Sequence, residues 1–375
     1  MATTVQSTTR AFACPLKYIQ GPGEFDRLES YTNVFGSHVL FVIDGFLYED
    51  LKARLGKAYA STSSTFTALK FGGECCAEEF QRLATQARSG CDVLVGIGGG
   101  KTMDTAKIVA NELDLPLIIV PSSASTDAPT SAMSVVYTKD GVYVKNVRHK
   151  RHASLVLLDT EIIAKAPIRF FVAGMGDALA TYIESMANER SDSPNLIGKG
   201  YRRTKASMAL SKLSYEILMA DGINAKMALE AGARTEAVEN VIEANTLLSG
   251  LGFENAGLSC AHGIHSGLTA LPETHKYLHG EKVAFGIVCQ LVLENGPDHL
   301  IDEVLRFMVA VGLPCTLEEL GVEANEANVR TIAHQTAVEN KLIQSEPFLI
   351  GEEQVYNAIL GANALGQKYR AAARR

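Results

Sequence analysis

Continuous apolar runs recur through the first part of the chain. Val39-Leu40-Phe41-Val42-Ile43 stops at Asp44-Gly45. A run with no polar alternate position predicts a strand buried on both faces, as in parallel sheets. Helical spacing follows over 47–60, and 66–71 is a second strand, stopping at Gly72-Gly73. A helix over 77–88 leads to a third strand at 92–95, and a helix over 103–113 leads to a fourth at 117–120, stopping at Pro121. Segments 134–138 and 142–145, joined across Lys139-Asp140-Gly141, predict a hairpin placed as a flap over the strand ends. Leu155-Val156-Leu157-Leu158-Asp159 is the last strong strand. Strand and helix at this interval predict βαβ units in a doubly wound parallel sheet. After about residue 165 the pattern changes to Ala-, Leu- and Glu-rich helical spacing over 206–218, 237–251, 282–293 and 304–311. The expected architecture is therefore an α/β domain over 1–165 followed by an all-helical domain over 166–375, with Pro167 near the boundary.

Ligands of such sheets bind outside the C-terminal strand ends. Three of these ends carry polar or glycine-rich residues: Asp44, the turn Gly96-Ile97-Gly98-Gly99-Gly100-Lys101-Thr102-Met103-Asp104, and the loop Pro121-Ser122-Ser123-Ala124-Ser125-Thr126-Asp127. Strand, glycine turn and helix make a phosphate cradle, because glycines admit backbone N–H groups and a helix N-terminus carries partial positive charge. The turn misses both familiar templates by one residue. A Walker A loop would need Gly where Val95 stands, and G-x-G-x-x-G would need Gly where Lys101 stands. It is a diphosphate loop of another kind or only a tight turn. Asp44 is placed where an acid can bond a ribose hydroxyl and repel a 2′-phosphate; it could equally be a solvated turn residue.

Composition narrows the function classes. The chain has 375 residues, is 47% hydrophobic and 21% charged, and carries a net charge of −7 without charge blocks. That suffices for full cores and offers no basic footprint for nucleic acid. The seven cysteines are scattered with no C-x-x-C pair, which predicts neither a disulfide framework nor a zinc knuckle and fits a reducing compartment. Residues 1–10 are polar with no apolar signal-peptide core, and no apolar run reaches membrane-spanning length. A cytoplasmic protein that does not enter membranes is expected.

Four of the nine histidines fall between 262 and 279: His262, His265, His275 and His279. The first two lie in Ser259-Cys260-Ala261-His262-Gly263-Ile264-His265, and His279 opens another helical pattern. H-x-x-H alone is also compatible with a capping pair or with one core and one surface histidine. Upstream, Gly176-Asp177-Ala178 holds one acid in an apolar setting, where an N-cap is the ordinary explanation. Two histidines and a carboxylate with an open fourth position form a known catalytic zinc set.

Five motifs in order resemble the glycerol dehydrogenases, metal-dependent polyol dehydrogenases related to iron-containing alcohol dehydrogenases. They are the stretch from Gly98 to Lys107, the loop from Ala124 to Ala132, Gly176-Asp177-Ala178-Leu179-Ala180-Thr181, the segment from Glu243 to Gly250 with Gly252-Phe253-Glu254, and His279-Gly280-Glu281-Lys282-Val283-Ala284. The resemblance covers nearly the whole chain, except that Ser191 to Arg203 matches poorly. It implies an N-terminal NAD-binding domain, a C-terminal helical domain and a metal site in the cleft between them. It further implies Zn²⁺ on Asp177, His262 and His279. Gly98, Gly99, Gly100, Lys101 and Asp104 would belong to the cofactor site, with Asp44, Ser122, Ser125, Ser131, Met133 and Tyr137 as further contacts. Asp127 would orient a polyol hydroxyl, and His265 would pass a proton or pack beside the metal. The broader family has a further histidine where Thr181 stands; losing that nitrogen favours zinc with a vacant position.

The implied reaction is reversible, NAD-linked oxidation of glycerol or similar vicinal diols, by a homo-oligomer that could be an octamer. Two other readings stay open at this point. One is a sugar-phosphate relative, such as a glycerol-1-phosphate dehydrogenase or a dehydroquinate-synthase-like lyase. The other is a non-catalytic NAD-binding assembly protein.

Overall fold

A computed structural model describes residues 8–374. Residues 1–7 of the polar N-terminal stretch lie outside the described residues. The chain forms two compact units. The first is Cys14–Pro167; the second runs from Ile168 and takes in residues 8–13. Those residues join it through Arg10, bridged to Arg202, and through the Ala13 N–H, which donates to Asn255 Oδ1 at 2.7 Å.

The first unit is a six-stranded, wholly parallel sheet with an added hairpin. Its strands are β1 (Tyr18–Gly21), β2 (His38–Ile43), β3 (Thr65–Lys70), β4 (Val93–Gly98), β5 (Leu117–Pro121) and β8 (Leu155–Asp159), and the hairpin is β6 (Met133–Tyr137) with β7 (Tyr143–Arg148). The order is β1-β8-β5-β4-β2-β3. Strands β4, β5 and β8 are buried at every position, and β2 at all but its first, which is why their sequences are apolar without alternation. On one face Val39, Phe41, Ile43, Val93, Val95, Ile97, Ile118, Val120, Leu155 and Leu157 pack on Phe25, Leu28, Leu51 and Leu55. Sequence patterning did not find β1. It is a half-buried edge strand, Tyr-Ile-Gln-Gly, which pairs only with β8 and carries no apolar run. The turn after it is held by Asp159, whose carboxylate accepts from the N–H groups of Gly23, Phe25 and Glu161.

Direction reverses in the middle of this sheet. From β2 the chain moves outward to β3, then crosses back so that β4 lies on the other side of β2. The C-terminal ends of β2 and β4 therefore flank the topological switch point, where such sheets bind ligands. These ends are Asp44 and the glycine turn.

The second unit is helical throughout its long elements, the largest being Ile168–Ser191, Lys205–Glu230, His279–Leu293 and Glu352–Ala373. Two predicted helices differ. The one expected over 206–218 continues to Glu230, past Gly222, where a side chain would meet the Phe307 ring at 2.6 Å. The one expected over 237–251 is broken by a π turn at Ala244–Leu248 before it resumes as Ser249–Ala256. No helix of the described residues is long and apolar enough to cross a membrane.

Candidate metal and dinucleotide sites

The three proposed metal ligands come from three helices. Asp177 lies in the interior of Ile168–Ser191, so it is not an N-cap. His262 is on Cys260–Leu268, and His279 is the first residue of His279–Leu293. Glycines beside the ligands let these helices touch backbone to backbone. A Cβ on Gly280 would lie 1.8 Å from the Ala173 carbonyl oxygen, one on Gly176 2.4 Å from that of Gly280, and one on Gly286 2.3 Å from that of Ala261. The Gly-Asp and His-Gly pairs of the sequence thus set a candidate ligand and a contact point side by side.

The result is a triangle of ligand atoms. Asp177 Oδ1 is 3.1 Å from His279 Nε2 and 3.4 Å from His262 Nε2, and the two ring nitrogens are 3.3 Å apart. A tetrahedral ion with bonds of about 2.0–2.1 Å has ligand separations of roughly 3.3–3.4 Å. The three atoms therefore match one face of a zinc tetrahedron. Among the described residues this is the one group of three or more His, Cys, Asp and Glu side chains close enough to hold a metal ion. Asp177 and His262 are buried and His279 is half-buried. Burial alone would push the Asp177 carboxyl up, but the imidazoles of His279 and His262 hold it well below the carboxylate range. Burial likewise opposes a charge on His262, and the carboxylates of Glu184 and Asp177 overcome it and raise that ring well above the usual histidine value. The carboxylates of Asp177 and Glu184 thus favour positive charge at His262.

Each histidine is held from behind. His262 Nδ1 is 2.6 Å from Glu184 Oε2, and His279 Nδ1 is 3.0 Å from His265 Nε2. A ring whose Nδ1 carries the proton presents the Nε2 lone pair to a metal. His265, which the sequence offered as a proton carrier, thus stands behind a ligand. Burial first, and then His279, Lys282 and His262, press its pKa well below the usual value, so it is neutral and able to accept. Sequence reasoning missed Glu184. Its signal was an acid seven residues after Asp177, two turns along the same helix face. Thr181 is buried, its hydroxyl 2.8 Å from Ser249 Oγ and 3.4 Å from the Asp177 carbonyl, and Gly252 leaves room for its methyl group. The motif containing Ser249 and Gly252 thus packs this helix.

In the first unit the glycine turn closes β4 and opens the helix Gly100–Leu113. Gly98 is tightly enclosed: a Cβ there would come within 2.9 Å of Asp44 Cβ and 2.8 Å of Thr102 Oγ1. Gly99 and Gly100 face open space, with nothing within 4 Å of an added Cβ, and no side chain caps the helix start. Room above uncapped N–H groups suits a diphosphate. Asp44 sits beside this turn, its N–H bonded to the Ile97 carbonyl, and the Ser122 N–H bonds the Gly98 carbonyl. Ser122 is half-buried, as are Ser125, which takes a hydrogen bond from Ser123 at 3.1 Å, and Met133 and Tyr137 on the same face of β6. Burial pushes the Tyr137 phenol up to about 12. Asp127 is buried, just before the short helix Ala128–Thr130.

Three members of the cofactor set have other partners. The half-exposed Lys101 pairs with Glu74 at 2.6 Å and lies over the Tyr137 ring. Asp104 turns inward, accepting from the Val135 N–H at 2.9 Å and from Lys107 at 3.2 Å. Ser131 faces the same lysine at 3.4 Å. Lys107 is the residue that sequence reasoning left without a role. Only 2% exposed, it donates to the carbonyls of Ala128 and Met133 at 2.6 and 2.9 Å and so ties the loop and hairpin to the glycine-turn helix.

Comparison with known proteins shows the family and the fold. Residues 15–160 match the sequence profile of iron-containing alcohol dehydrogenases. A glycerol dehydrogenase of Thermotoga maritima is 45% identical over 96% of this chain and 98% of its own length. The crystal structure of a probable glycerol dehydrogenase from Sinorhizobium meliloti superposes with a TM-score of 0.90 at 45% identity, covering 96% of this chain and 100% of that one. The glycerol dehydrogenase structure from Schizosaccharomyces pombe gives 0.92 at 35% identity, covering 98% and 94%. With both the switch-point turn and the Asp-His-His triangle in place, the chain belongs to the glycerol dehydrogenase family, related to the iron-containing alcohol dehydrogenases.

Proposed function

We propose that this protein is an NAD-dependent, zinc-dependent glycerol dehydrogenase that interconverts glycerol and dihydroxyacetone and accepts similar vicinal diols. The observation that carries the reading is the triangle of Asp177 Oδ1, His262 Nε2 and His279 Nε2, with edges of 3.1–3.4 Å. A zinc ion held there supplies Lewis-acid polarisation of the substrate hydroxyl. The other contributions come from the chain. Asp177 sets the negative charge of the ligand set, and Glu184 and His265 keep Nε2 of both rings free to ligate. The open glycine turn binds the cofactor diphosphate through backbone N–H groups, and Asp44 takes a ribose hydroxyl and disfavours a 2′-phosphate. Asp127 orients the second hydroxyl of the diol. The hydride chemistry itself belongs to the nicotinamide. Seven free cysteines, five of them buried, support a place in the reducing cytoplasm. A homo-oligomer, up to an octamer, completes the proposal.

The test is initial rates with glycerol and NAD⁺ before and after chelation, followed by zinc replacement. Activity should vanish with the metal and return with it. Undiminished turnover in the chelated protein, with no metal detectable by elemental analysis, would sink the reading.

A further inference from the structure

The helix Cys260–Leu268 begins without a local cap; no side chain next to it in sequence satisfies its first N–H groups. Unsatisfied buried N–H groups cost free energy, so these need partners. Distant side chains supply all four. Glu184 Oε1 accepts from the N–H groups of Ser259 and His262 at 2.8 and 2.9 Å. Gln290 Oε1 accepts from Ala261 at 3.1 Å, and Glu346 Oε1 from Cys260 at 3.2 Å. Two of these side chains come from the other ligand-bearing helices: Glu184 from the helix of Asp177, Gln290 from the helix of His279. Gln290 Nε2 also donates to the Ile183 carbonyl at 3.4 Å, so one amide touches all three helices. Glu184 and Gln290 are both fully buried.

Resting on the metal reading above, we infer that Glu184 and Gln290 are positioning residues for the metal: by capping the His262 helix they set the register of the three ligand-bearing helices. Glu184 has a second task, because its other oxygen, Oε2, receives the His262 Nδ1 proton. The two tasks are separable. In Glu184→Gln the amide oxygen can still cap, but the amide NH₂ facing His262 would drive the ring proton to Nε2, where it blocks the metal.

Zinc affinity, measured by competition with a chromophoric chelator, is the readout, with the unfolding midpoint of the metal-free protein as control. Glu184→Gln should bind zinc ~10–100-fold more weakly, the usual cost of losing an outer carboxylate partner, with little change in midpoint. Glu184→Asp, which keeps an acceptor, should recover part of the loss. Gln290→Leu should weaken binding less than Glu184→Gln and also lower the midpoint. The visible spectrum of cobalt-loaded Glu184→Gln should differ from that of the parent. Parent-like zinc affinity in Glu184→Gln, or equal losses in the Gln and Asp variants, overturns the inference. Failure of the parent itself to bind zinc overturns the metal reading and this one with it.

Discussion

A methyl group added at Gly99 or Gly100 would meet nothing within 4 Å, whereas at Gly280 it would lie 1.8 Å from a backbone oxygen. Both places are glycine-marked and both belong to a site, yet glycine does opposite work in them. In the N-terminal unit it keeps a surface open, so that backbone N–H groups can meet a large anionic cofactor. In the helical unit it removes space, so that side chains from three helices can converge on one small ion. The glycine turn of the first site is local in sequence, running straight from strand to helix. The second site joins groups spread from Asp177 to His279. A short loop with N–H groups can bind a flexible ligand by itself. A metal needs atoms placed to tenths of an ångström, which only packed helices supply.

The contrast can be broken from either side. Lys107→Met should have the largest effect, removing the buried cation that fastens Asp104, Ser131 and the hairpin strand β6. Breaking a buried pair of this kind costs about 3–5 kcal/mol. Denaturant unfolding should reveal that loss while chelator competition leaves zinc affinity near the parent value; a parallel fall in both would mean the two sites are not independently built. Next comes Gly280→Ala, which must push the helices of Asp177 and His279 apart. Misplacement of about 1 Å costs on the order of 10²-fold in activity. Zinc affinity should drop with activity, and NAD binding, followed by fluorescence titration, should persist. Loss of NAD binding with retained zinc would reverse the assignment of the two sites.

The smallest effect is a pH limb in the N-terminal unit. His149 Nε2 lies 2.8 Å from Ser134 Oγ on β6, and burial, with Lys107 and His152 adding to it, pushes its pKa down to about 4. The unfolded chain takes up this proton near pH 6.5. Between those values the unfolded state binds more protons, so the contribution of His149 is complete above about pH 6.5 and declines as pH falls towards 4. Melting temperatures of the parent and His149→Gln should converge over that interval. Parallel curves would remove His149 from the account.

Much of this was legible from residue order because the forces concerned act between near neighbours. Doubly buried strands require unbroken apolar runs, so β2, β4, β5 and β8 stand out. The Asp140-Gly141 turn marks the hairpin, and helical spacing marks most of the second half. Strand β1 escaped because an edge strand paired on one side needs no apolar run. Glu184 and Lys107 escaped because a buried charge looks like any other charge until its partners are in place. The motifs also did not separate Asp104, whose carboxylate serves Val135 and Lys107, from the open glycines beside it.

The amino-acid sequence alone thus determined two element classes, the glycine turn and the residue types of a zinc site, since periodicity and backbone sterics are local. Tertiary structure decided that Asp177 lies mid-helix and that His262 and His279 aim Nε2 at its carboxylate. It also decided that Glu184 and His265 stand behind those rings, while Lys101 turns to Glu74. The placement of the Asp-His-His triangle depends on helices meeting at Gly176, Gly280 and Gly286, contacts between segments far apart in the chain that no local pattern encodes.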